Sequence, residues 1–140
     1  MKDLEKVLTG LISELKPAPF VPVDTTEHWS VEFDRTEKGN SKWLTYITEA
    51  LNTATTFEIH CWNEETEWID FALHYGKLKN ADWRHGKIIA GDITPEFIQM
   101  LTTQPKPTDT EIYNKMTPFF TIALDNGFWS AHYGTELSKQ

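Results

Sequence analysis

The chain has 140 residues, room for one core, and its 39% apolar content with six Trp and eight Phe excludes general disorder. Thirteen basic against twenty-one acidic side chains give a formal net charge of −8. That disfavours nucleic acid or an anionic membrane surface as partner, because phosphate binding draws on clustered Lys and Arg.

No apolar run approaches the roughly 20 residues that span a bilayer. The segment MKDLEKVLTGLISELK mixes Lys and Glu through its apolar positions, unlike a signal peptide, so a cytoplasmic protein is expected. Cys61 is the single cysteine, which rules out an internal disulfide and leaves packing to hold the fold.

In chain order, Leu4, Val7, Leu8, Leu11, Ile12 and Leu15 recur at helical spacing, which predicts an amphipathic helix over residues 1–16. Three prolines make 17–23 an extended connector. Trp29, Val31 and Phe33 alternate with Ser30, Glu32 and Asp34 as in a strand with one wet face. From Ser41 a helical stripe runs through Trp43, Leu44, Ile47, Ala50, Leu51 and Ala54. Thr56 to Trp62 reads as a strand, with Phe57, Ile59 and Cys61 on one face and Glu58, His60 and Trp62 on the other.

Asn63 has the character of a helix cap, Glu64, Glu65 and Glu67 suit a first turn, and Gly76 suits the helix end. Lys77 to Gly86 reads as an exposed basic loop before a short strand at Lys87 to Ala90. Thr94-Pro95-Glu96 predicts a helix start, 104–110 a second proline-containing connector, and Asp109 to Met116 a short helix. Phe119 to Leu124 and Phe128 to Tyr133 flank Asp125-Asn126-Gly127, which suits a β-hairpin, although Thr117-Pro118 could instead open a helix ending at Gly127. Residues 135–140 read as a frayed tail. The expected fold is therefore α+β, one compact domain over 1–140. It would consist of the N-terminal helix and three to four further helices packed on a small, mainly antiparallel sheet.

No glycine-rich phosphate loop, G-x-S-x-G elbow or close His/Cys spacing for zinc occurs, so neither cofactor nor metal is expected and an enzyme reading has no motif beneath it. Two groups of residues remain. Glu64, Glu65, Glu67 and Asp70, near Trp62 and Trp68, could form an acidic aromatic surface that steers toward and grips a basic protein. The plainer reading makes Trp68 core and the acids a helix N-terminus. Trp62, Trp83 and Trp129 are the tryptophans least expected to be fully buried. Second, His60, His74, His132 and Trp129 could line an aromatic pocket, with Glu67 and Asp70 on the helix face of His74. The plainer reading is an ordinary Asp70–His74 pair on a solvated face.

Size, acidity and abundant Trp favour a non-enzymatic protein-binding module. The expected kind is a small acidic inhibitor, such as a bacterial immunity protein neutralising a basic toxin, with neither nucleic acid nor membrane as partner. The alternative is a small enzyme or ligand-binding domain using the aromatic pocket. Neither reading sets the oligomeric state.

Overall fold

A computed structural model describes residues 28–140. The expected helix over 1–16 and connector over 17–23 lie outside these residues. Ten elements follow: β1 (Trp29–Glu32), α1 (Ser41–Leu51), β2 (Thr56–Trp62), α2 (Thr66–Ala72), β3 (Lys77–Lys79), β4 (Gly86–Asp92), α3 (Pro95–Thr103), β5 (Thr121–Leu124), β6 (Phe128–Ala131) and β7 (Glu136–Lys139). All seven strands join one antiparallel sheet in the order β1-β7-β6-β5-β2-β4-β3.

This corrects the expected architecture. Among the described residues there are three helices on a seven-stranded sheet, so sheet dominates where a small sheet under four or five helices was expected. Two segments account for the difference. Lys77–Lys79, read as loop, pairs with Ala90, Ile89 and Ile88 of β4, although a three-residue edge is too short to show an alternating pattern. Glu136–Lys139, read as a frayed tail, is an interior strand between β1 and β6, fastened on both sides by ladder pairing. Asp109 to Met116 forms no helix. Side chains tie this segment to residues 34–37 instead: Arg35 Nη1 donates to Ile112 O at 2.7 Å, and Asn114 Nδ2 donates to the backbone at Asp34 O, 3.1 Å, and Glu37 O, 2.9 Å.

Other elements follow the sequence pattern. Thr94 caps α3 through its hydroxyl, which accepts from Phe97 N at 3.0 Å with Pro95 in the first turn. Chain reversal between β5 and β6 uses Gly127 at φ 91°, so 119–133 is the hairpin and not a helix. Helix α2 starts later than expected, with Glu65 at its cap.

The three helices lie on one face of the sheet. Phe57 stacks on Phe97 of α3 with centroids 3.9 Å apart, and Trp43 of α1 donates from Nε1 to Ser130 Oγ at 3.0 Å. Trp68 and Phe71 of α2 meet Phe119 at 5.7 and 6.5 Å. Phe57, Ile59, Ile89, Ile122, Phe128 and Leu137 complete this buried side. Burial of large apolar side chains, each contributing roughly 1.5–3 kcal/mol, makes this face the main source of stability.

Candidate functional site: the uncovered face of the sheet

Alternation along each strand sends every second residue to the side away from the helices. Opposed residues of an antiparallel ladder share a face, so the register identifies that side. Glu58, His60 and Trp62 of β2 stand opposite Ala90, Ile88 and Gly86 of β4, and Glu58 and His60 stand opposite Ala123 and Thr121 of β5. Trp129 of β6 is opposite Ala123, and Lys77 and Lys79 of β3 are opposite Ala90 and Ile88. Among the described residues no helix covers this side.

Its centre is aromatic. His60 meets Trp129 edge-on at 5.8 Å and Trp83 at 6.1 Å; Trp83 meets Trp62 at 5.1 Å, and Trp62 meets Phe120 at 4.9 Å. Phe120 continues to His132 at 5.6 Å, and His132 stacks on Tyr113 at 5.7 Å. Trp129 keeps 39% of its surface exposed. Trp62 and Trp83 are half-buried. A strip of rings thus crosses the strands, anchored by neighbours on one side and open on the other.

A polar chain runs beside it. Glu58 Oε1 lies 3.1 Å from His60 Nε2, and Glu58 Oε2 accepts from Lys79 Nζ. The ammonium of Lys79 chiefly, with His60, holds the Glu58 carboxyl below its ordinary value despite partial burial. His60 Nδ1 has no hydrogen-bond partner among the described residues. This imidazole is therefore oriented by a carboxylate.

The turn between β6 and β7 is strained. His132, Tyr133 and Gly134 all have positive φ, at 52°, 60° and 85°. Two bulky residues in succession there are unfavourable and must be held by their surroundings. Tyr133 O accepts from Met116 N at 2.8 Å, Tyr133 N donates to Phe120 O at 3.0 Å, and Tyr133 Oη donates to Glu65 Oε2 at 2.7 Å. Lys115 Nζ lies 4.2 Å from the centroid of the same ring. His132 Nδ1 is 3.2 Å from Glu136 Oε2 without an aligned hydrogen bond.

The residues singled out from sequence are distributed as follows. His60 and Trp129 are neighbours, His132 joins them through Phe120 and Trp62, and His74 lies apart in the turn after α2, its Nδ1 3.1 Å from Asp70 O. Glu64, Glu67 and Asp70 are exposed. Glu65 is occupied internally, accepting from Trp62 N at 2.9 Å and from Tyr133 Oη. Trp68 packs with the core on the helix side while Trp62 belongs to the open side, so the two do not share a surface. Among the described residues no group of three or more His, Cys, Asp or Glu is placed to hold a metal ion, and no helix is long and apolar enough to cross a membrane.

Sequence reasoning missed Phe120, Tyr113 and Tyr133 as members of this surface, and the Lys79–Glu58 contact. Period two on β2 already placed Glu58 beside His60, but the pairing of β3 and the β6–β7 turn had no local signal. Compared with known families, curated proteins and solved structures, the chain matches none.

Proposed function

We propose that this chain is a protein-binding module whose contact surface is the face of the sheet opposite the three described helices. The observation that carries the reading is the strip formed by Trp129, His60, Trp83 and Trp62, on the side that no helix among the described residues covers. Trp and Tyr in partly enclosed positions are the commonest anchors of protein interfaces, because they bring large area at small entropic cost. The chain's net charge of −8 favours a basic partner. An inhibitor that neutralises a basic toxin is the specific form of this proposal.

Affinity capture from the native organism, at low and then moderate salt with mass spectrometry, tests it. Recovery of one basic protein in equal amount, weakened as salt rises, is expected. Recovery of bait alone would overturn the reading.

A second reading, a small enzyme or ligand-binding domain, rests on His60 alone, held by Glu58 between Trp129 and Trp83, its Nδ1 without a hydrogen bond among the described residues. Metabolite binding lost in His60→Gln and retained in His74→Gln would favour it.

A further inference from the structure

The end of the sheet farthest from β1 carries a different kind of surface. Strand β3 is paired with β4 along one side and, among the described residues, has no strand along the other. All three of its residues are exposed, and Leu78 keeps 56% of its area in solvent. Lys77 and Lys79 project to the open face; Leu78 projects the opposite way. Over residues 77–87 the sequence carries Lys77, Lys79, Arg84 and Lys87 against one acid, Asp82, in a chain of net charge −8. This stretch is a basic edge on an acidic protein.

A cavity of about 370 Å³ opens beside the strand, lined in part by Leu78, Lys79, Asn80, Trp83, Lys87 and Ile88. One wall has a set position: Trp83 lies so close to Gly86 that a Cβ there would stand 2.4 Å from its ring atoms. Lys87 Nζ donates to Asn63 Oδ1 at 3.0 Å and Lys79 Nζ to Glu58, so both ammonium groups are positioned. Lys77 has no ion-pair partner among the described residues.

Lysine on an edge strand guards against sheet-to-sheet aggregation, and solvated charge alone would do this. That role leaves two features without a reason: an exposed leucine between the lysines, and a cavity at the same edge. We propose that β3 and this cavity form a docking groove for an extended acidic segment of a partner protein, which adds to the sheet as an eighth strand. Backbone groups on the free side of β3 supply the pairing, and the adjoining cavity receives one side chain, the usual division of labour in strand addition. Period two sets the pattern of the segment. Acidic residues fall on the side of Lys77 and Lys79, and apolar residues alternate with them on the side of Leu78. The groove adjoins the aromatic strip and shares Trp83 with it, and its test reads peptide binding at the strand edge.

The probe is an acetylated, dye-labelled peptide, Thr-Glu-Val-Glu-Val-Glu-Val-Glu-Thr, titrated into the full chain at low salt and read by fluorescence anisotropy. Saturable one-to-one binding is expected, about tenfold weaker in Lys77→Glu because like charges then face each other. Lys42→Ala, on α1, should bind the peptide as the wild type does. An analogue with its valines replaced by proline, which cannot donate to a strand ladder, should lose binding. Absence of saturable binding, equal binding by Lys77→Glu, or equal binding of the proline analogue would each overturn the proposal.

Discussion

The phenol of Tyr133 donates to Glu65 at 2.7 Å across 68 residues of sequence, tying the strained β6–β7 turn to the cap of α2. Burial first, and the neighbouring Glu65 charge second, push the phenol above its ordinary value of 10.0. A raised folded value means that the stabilisation is complete below that ordinary value and is lost as pH rises through the folded one. Tyr133→Phe should lower stability by about 2 kcal/mol at neutral pH, the usual range for a hydrogen bond to a charged group. It should also flatten the alkaline limb of stability against pH. Urea denaturation of both proteins across the alkaline range checks both effects.

Asp125 works at the opposite end of the pH scale. The Thr55 hydroxyl, then the Thr55 and Thr56 amides, hold its carboxyl at about 2, below the ordinary 3.8. A depressed folded value contributes stability above the ordinary value and loses it as pH falls through the folded one. Wild type should therefore lose stability between about pH 4 and pH 2, and Asp125→Asn should show a shallower slope in that window. Acid titration followed by circular dichroism distinguishes the two slopes.

Cys61 is fully buried, and burial chiefly, with Glu65 adding, pushes its thiol up to about 12. Thiolate is the reactive form. A thiol reagent at pH 8 should leave the native protein unmodified over the time in which the urea-unfolded chain reacts completely. Rapid native modification would mean that β2 opens readily.

Gly86 underlies the position of Trp83. A methyl group there would stand 2.4 Å from both Cys61 O and the Trp83 ring. Gly86→Ala should move the ring away from Trp62, shift tryptophan emission to longer wavelength and lower the melting temperature by several degrees, as about 1–3 kcal/mol of overpacking does. Unaltered emission would show that the indole does not rest on this glycine.

Much of the helix-facing side was legible in local pattern. Alternation assigned Phe57, Ile59 and Cys61 to one face of β2 and Glu58, His60 and Trp62 to the other, and the Thr94-Pro95-Glu96 cap marked α3. What escaped depends on contacts distant in sequence. Lys77–Lys79 and Glu136–Lys139 are strands because β4, and β1 with β6, pair with them, and neither four-residue window nor charge pattern carries that information. The aromatic strip is likewise nonlocal. Trp62, Trp83 and Trp129 could be picked out by type, whereas Phe120, Tyr113 and Tyr133 join only through a turn in which two of the three left-handed residues are not glycines. Trp62 and Trp68 illustrate the converse: six residues apart, they lie on opposite sides of the sheet.

The central claim is that the aromatic strip, with Trp129 most exposed, is where a partner binds. Calorimetric titration of the captured basic protein with wild type and with Trp129→Ala tests this directly, each variant first matched in melting temperature. The account predicts at least about tenfold weaker binding by Trp129→Ala, the loss of more than about 1 kcal/mol that marks an interface anchor. Equal affinity of the two proteins would contradict it.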